Sequence, residues 1–86
     1  MAERELTQLE DLVHYLVEPL VNDPNAIRVT EVSDTKKDAT VVRLTVAQDD
    51  IGRVIGRQGR VIRSLRSLMS LASRSLNQPV ELDLVD

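Results

Sequence analysis

Val54-Ile55-Gly56-Arg57-Gln58-Gly59-Arg60-Val61-Ile62 is the stretch around which the rest of the chain is organised. Two glycines bracket two polar residues, and aliphatic pairs stand on either side. The chain holds three glycines, Gly52, Gly56 and Gly59, all within this neighbourhood. Glycine opens backbone angles closed to other residues and lets a second backbone come close. A helix that starts just after Gly59 turns free N–H groups and the positive end of its dipole toward the loop, which favours an anion there. Arg57 in the loop, Arg53 one turn before it and Arg60 just after it complete a cradle suited to a phosphodiester backbone.

On the C-terminal side, the spacing predicts a helix from about Arg60 to Leu76. Val61/Ile62, Leu65, Leu68/Met69, Ala72 and Leu76 form its buried stripe. Asn77 and Pro79 end it, and Val80, Leu82 and Leu84 then alternate with Glu81, Asp83 and Val85 in a last strand. On the N-terminal side, Asp49-Asp50 reads as the cap of a short helix running to Ile55, with carboxylates at its positive end. Thr40 to Ala47 is the cleanest strand, with Val42, Leu44 and Val46 on one side and Val41, Arg43 and Thr45 on the other. Asp34-Thr35-Lys36-Lys37-Asp38 is a polar hairpin loop. Before it, Ala26 to Ser33 carries Ile27, Val29 and Val32, and its alternation breaks after Val29, where a bulge or an early end is expected.

The first helix is expected from Glu5 to Val21, with Thr7 or an earlier polar residue as its cap. Leu6, Leu9, Val13, Leu16, Val17 and Leu20 recur at three- and four-residue steps, leaving Glu10, His14 and Glu18 off that line. Pro19 should loosen its last turn, and Asn22-Asp23-Pro24-Asn25 stops it. The order α-β-β-α-α-β implies an α/β chain of the α+β sandwich kind, a three-stranded sheet with helices packed on one face. The helical crossover favours a third strand parallel to the second. The parts are a helix and turn (1–25), a hairpin (26–47), a helix-loop-helix (48–76) and a last strand (79–86), one domain over 1–86.

Composition narrows the function. Of 86 residues, 42% are apolar and 29% charged, a globular balance, but there is no Phe, no Trp and one Tyr. An aromatic platform for stacked bases or sugars is therefore not expected. Cysteine is absent, and one histidine, His14, builds no metal centre alone. No cofactor and no metal are expected. No apolar run approaches the length of about 20 residues that spans a bilayer, and Met1-Ala2-Glu3-Arg4-Glu5 lacks the basic start of a secretory signal, so a cytoplasmic chain with no membrane partner is expected. The net charge of −3 hides six arginines and no acid between Ile51 and Val80, against five basic and fourteen acidic residues elsewhere. A basic block in an acidic chain argues for a nucleic-acid partner if its arginines share a face.

The central stretch resembles the signature of KH domains, an apolar-Ile-Gly-x-x-Gly-x-x-Ile pattern joining two helices. The extra N-terminal helix and strand resemble the type II arrangement. The chain as a whole is similar to small bacterial single-KH-domain RNA-binding proteins, among which the run Asp50-Ile51-Gly52-Arg53-Val54-Ile55-Gly56-Arg57-Gln58-Gly59-Arg60 is familiar. The segment Glu18-Pro19-Leu20-Val21-Asn22-Asp23-Pro24 is similar to that group too. The resemblance implies an RNA-binding protein, an RNA chaperone or post-transcriptional regulator, holding single-stranded RNA. It implies action as a homodimer or with a second KH-domain protein. A GXXG loop clamps about four nucleotides. By this resemblance Gly56, Arg57, Gln58 and Gly59 contact the RNA backbone. Val54, Ile55 and Ile62 act as supports and as part of the apolar groove for bases.

Each feature also has a plainer reading. The glycines alone could make a helix–helix turn, and the arginines a solvated face. Arg53, Arg57 and Arg60 are assigned to RNA, Arg63 fits either reading, and Arg66 and Arg74 are read as solvated. Gly52, Gly56 and Gly59 lack the Gly-x-Gly start of a dinucleotide fingerprint, and Gly59 is followed by Arg60-Val61 rather than the Lys-Ser/Thr of a P-loop. No nucleophile–base pair is present, so a non-enzyme without a small-molecule substrate is expected. The rival reading is a dimerisation or adaptor module, with Leu68 and Leu71 as its outward apolar residues. Leu71 would otherwise be core, covering the end of the first helix.

Overall fold

Thr7 starts the first helix by a reciprocal arrangement legible in its spacing to Glu10. A computed structural model describes residues 6–86, so the expected start at Glu5 lies outside the described residues; α1 runs Gln8–Val17. The Thr7 hydroxyl accepts from the Glu10 N–H at 3.1 Å, and the Thr7 N–H donates to Glu10 Oε1 at 3.0 Å. This capping box satisfies two N–H groups that helix geometry leaves open. Glu10 departs from the expected polar face: it is 1% exposed. Its second oxygen, Oε2, accepts from the Glu31 N–H at 2.7 Å, and the Thr7 hydroxyl donates to Glu31 Oε2 at 2.6 Å. The helix start is thus tied to the first strand by a carboxylate that burial would otherwise disfavour.

Leu9, Val13 and Val17 are the buried stripe of α1, whereas Leu6 and Leu12 are exposed. The helix ends four residues before the expected Val21. Pro19 has no N–H to continue the ladder, so Glu18–Leu20 tightens into a 3₁₀ turn. Pro24–Ala26 makes a second such turn. Strand β1 spans Arg28–Asp34 and pairs antiparallel with β2, Ala39–Thr45, in an unbroken register from Arg28↔Thr45 to Asp34↔Ala39. The expected bulge after Val29 is absent. The inward position that breaks the apolar alternation is Glu31, half-buried against the start of α1.

Strand β3, Val80–Leu84, lies parallel to β2, with Thr40↔Val80, Val42↔Leu82 and Leu44↔Leu84. In the sheet order β1-β2-β3, the helical crossover joins the adjacent parallel strands β2 and β3. Val29, Val42, Leu44, Val80 and Leu82 meet Leu9, Val13 and Val17 of α1 in one core. Ile62, Leu65 and Met69 complete it from α3, which spans Arg60–Leu76. Each such side chain contributes roughly 1.5–3 kcal/mol on leaving water. The α+β sandwich with helices on one sheet face is therefore the fold observed. Among the described residues, no helix is long and apolar enough to cross a membrane.

Helix α3 matches its expected span, but its stripe is narrower. Leu68 is 40% exposed and Leu76 45% exposed. The helix closes at Asn77, in the left-handed region at φ 54°, with the Gln78 N–H returning to the Ser73 carbonyl at 3.1 Å. Leu71 is 58% exposed and so is not core. His14 sits part-exposed on α1, 3.5 Å from the Glu18 carboxylate one turn on.

Candidate functional site

Helix α2, Ile51–Ile55, delivers the chain to the glycine loop, and its footing is not the capping expected of Asp49-Asp50. The Asp50 side chain caps no N–H of α2; it is 1% exposed and turned back toward the segment after α1. Oδ1 accepts from the Asn22 N–H at 3.0 Å and Oδ2 from the Asp23 N–H at 3.1 Å, while Arg53 Nε lies 3.2 Å from Oδ1. The Asn22 N–H is the main reason its carboxyl sits below the ordinary aspartate range. Burial opposes the shift, and the Asp23 N–H and the Arg53 charge reinforce it. Arg53, assigned to RNA from the sequence, is therefore engaged within the chain.

Gly56 turns the loop. Its backbone lies at φ 78°, ψ 171°, and a Cβ there would sit 2.4 Å from Val61 Cγ2 and 2.9 Å from the Val61 nitrogen. The loop thus folds directly onto the first turn of α3, which no side chain at position 56 would permit. Gln58 (φ 57°) and Gly59 (φ 75°) follow in the left-handed region. The Gly59 N–H donates to the Gly56 carbonyl at 3.1 Å, and the Arg60 N–H to the Arg57 carbonyl. Two N–H groups that the sequence left open to an anion are consequently taken up inside the loop, where they stiffen it. Arg57, Gln58, Arg60 and Arg63 remain exposed around it. No side chain caps α3.

Beside the loop lies a recess of about 280 Å³ lined by Ile51, Ile55, Ile62, Arg66, Leu84 and Asp86. Ile55, 38% exposed, and Ile62 line it, but Val54 is fully buried in the core and is not part of the lining. Sequence reading missed Ile51, Leu84 and Asp86, and read Arg66 as solvated. Arg66 follows Ile62 by four residues and so lies one turn along on the same side of α3. Leu84 and Asp86 reach the recess only because β3 returns parallel to β2, a fact with no local signal. Larger recesses exist, such as one of about 530 Å³ at Tyr15, Leu16, Glu18, Pro19 and Pro24. Neither a strained loop nor an arginine cluster adjoins it, so volume alone does not mark the site.

Comparison with known proteins bears on the chain as a whole. The model of the KhpA/KhpB KH-domain family matches residues 10–84. The RNA-binding protein KhpA of Chlamydia caviae is 37% identical over 79 residues, covering 91% of this chain and 97% of that protein. The RNA-binding protein KhpA of Bacillus subtilis is 37% identical over 78 residues, covering 91% and 94%. That of Borreliella burgdorferi is 30% identical over 76 residues, covering 88% and 90%. Among solved structures, a variant of Aquifex aeolicus Era crystallised with GDP and aluminium fluoride superposes with a TM-score of 0.59 at 18% identity. The match takes in 93% of this chain but only 31% of that one, and it speaks to the fold alone.

Proposed function

The chain belongs to the KhpA/KhpB family of KH-domain proteins, and on that premise we propose that it is a single-KH RNA-binding protein of the cytoplasm. It holds single-stranded RNA at Gly56–Gly59 and acts as an RNA chaperone or post-transcriptional regulator. The observation that carries this reading is the juxtaposition of a stiff glycine turn, exposed Arg57 and Arg60, and an apolar recess of about 280 Å³. The arginines take the phosphates, and the aliphatic floor of Ile51, Ile55, Ile62 and Leu84 takes the bases. Arg66 and Asp86, a donor fork and a carboxylate on its lining, offer opposite hydrogen-bonding character to base edges. The relatives' printed description as RNA-binding proteins supports the same assignment.

Replacing Arg57 and Gln58 together with aspartate tests it. Both side chains are exposed, and aspartate accepts the left-handed angles of position 58 better than most residues. The double variant should keep its circular dichroism and unfolding midpoint while single-stranded RNA binding is lost. Unchanged RNA affinity in the folded variant would remove the loop from the site.

A second reading concerns assembly, and it is favoured by the exposure of Leu68 (40%) and Leu71 (58%) on one flank of α3. These two residues form the contact of a homodimer, or of a heterodimer with a second KH-domain protein. Two weak RNA sites joined in this way bind with avidity. Sedimentation at micromolar concentration decides: Leu71→Asp should dissociate the assembly, and a wild type that stays monomeric alone and with KH-domain partners would refute it.

A further inference from the structure

Helix α3 carries its charge the wrong way round for its own stability. Its seventeen residues include Arg60, Arg63, Arg66 and Arg74 and no acid. Cations in the first turn oppose the helix dipole, and like charges three apart, as in Arg60/Arg63 and Arg63/Arg66, repel. Acids elsewhere in the chain could have relieved this. Instead, Arg43 sits 3.6 Å from Asp83, Lys37 3.5 Å from Glu81 and Arg53 3.2 Å from Asp50. Arg28 donates to the carbonyls of Asn25 and Ile27. Arg57, Arg60, Arg63, Arg66 and Arg74 make no ion pair with any described residue.

Three of these arginines also form a line. Arg60, Arg63, Ser67, Ser70 and Arg74 follow one another at three- and four-residue steps, which puts them on a single face. Arg66 stands between that face and the recess it lines. The serines leave the line unobstructed: the Ser67 and Ser70 hydroxyls fold down onto the Arg63 and Arg66 carbonyls at 3.1 and 3.3 Å. From Arg60 to Arg74 the line extends about 21 Å along the helix axis. A loop that holds about four nucleotides does not use that length. Leu71, four residues after Ser67 and three before Arg74, borders this line, and Leu68 lies further round the helix.

We propose that this arginine face is a second run of backbone contacts, along which a strand held at the glycine loop continues toward Arg74. It rests on the RNA reading above and adds to it the length of the ligand: the protein takes single strands well beyond four nucleotides, and the added contacts are electrostatic and blind to sequence. A polyanion fits the face because it meets every arginine in turn, whereas an isolated anion would meet one.

The test compares four- and twelve-nucleotide oligouridylate and oligoadenylate, the short ones by NMR titration and the long ones by fluorescence anisotropy, across a salt series. Each phosphate neutralised adds about −0.7 to the slope of log affinity against log salt on a single strand. The number of binding registers on a longer strand raises affinity but not this slope. The wild-type slope should therefore steepen from four to twelve nucleotides by about −1.4 or more, as expected for two or more added contacts. Ser70→Glu with Arg74→Glu, both far from the loop, should leave the tetranucleotide affinity within twofold and weaken the twelve-nucleotide strand at least fivefold. Ser70→Arg, which fills a gap in the line, should steepen the long-strand slope further. Equal slopes for both lengths, or a long strand indifferent to the paired Ser70→Glu and Arg74→Glu changes, would overturn this inference while leaving the loop assignment standing. A wild type that binds neither length would instead refute the loop assignment on which it rests.

Discussion

Alanine placed at each of the three glycines should produce three different results, because the structure gives each glycine a different reason to exist. At Gly56 a Cβ would lie 2.4 Å from Val61 Cγ2, 2.8 Å from Val61 Cβ and 2.9 Å from the Val61 nitrogen, at a φ of 78°. The backbone strain costs about 1–3 kcal/mol. Forcing the first turn of α3 aside adds about 1–3 kcal/mol. The sum, about 2–6 kcal/mol, compares with a total stability of about 4–13 kcal/mol for a chain of this size. At Gly59 the nearest atoms to a Cβ are Arg63 Nη1 at 3.7 Å and Ile62 Cγ2 at 4.0 Å, so only the left-handed angle is penalised, at about 1–2 kcal/mol. At Gly52, inside α2, a Cβ would meet nothing within 4 Å, and alanine should stabilise by about 0.5 kcal/mol. Urea unfolding followed by circular dichroism measures all three, with an unchanged denaturant slope confirming that the native and unfolded states are comparable. Adding Val61→Ala to Gly56→Ala removes the 2.4 Å overlap but neither the 2.9 Å approach to backbone nor the angle, so it should recover only part of the loss. Gly56→Ala no worse than Gly59→Ala would mean that the loop does not fold onto Val61, and the stiff clamp would go with it.

Other expectations concern the buried carboxylates and the leucine flank. Glu10→Ala should cost about 2–4 kcal/mol, because it strips charged hydrogen bonds from the N–H groups of Thr7 and Glu31 at once; a loss under about 0.5 kcal/mol in urea unfolding would contradict that linkage. Asp50 has its carboxyl pKa depressed by folding, so its contribution to stability is complete above the ordinary aspartate value and lost as pH falls through the lower folded one. Wild-type unfolding free energy should accordingly drop below about pH 4, and Asp50→Asn should be less stable at neutral pH yet show a smaller drop; parallel curves for the two proteins would refute it. Leu71→Asp should unfold within about 0.5 kcal/mol of wild type when both are compared as monomers, since the side chain is 58% exposed, and a larger loss would place it in the core.

What the amino-acid order determined by itself was local. The periods of the strands and of α3, the stop at Asn77, the turn at Pro24 and the glycine loop all depend on neighbours within a few residues, where sterics and helix geometry act without knowledge of the rest. The parallel return of β3 could be expected from the long helical connection that precedes it. Tertiary structure decided which polar groups go inside. Glu10 meets the Glu31 N–H from 21 residues away, and Asp50 meets Asn22 and Asp23 from 28 and 27. A buried carboxylate is tolerated only when such donors converge on it, and their convergence is a property of the assembled fold. The same holds at the candidate site. Val54 falls inside the core, and Arg66 lines a recess together with Leu84 and Asp86, at and just past the end of β3, which the chain order separates from it by 18 and 20 residues. Gly56 could be read from the sequence as a place where backbones approach. That the backbone is the start of α3, at Val61, became definite only when helix and loop were packed together.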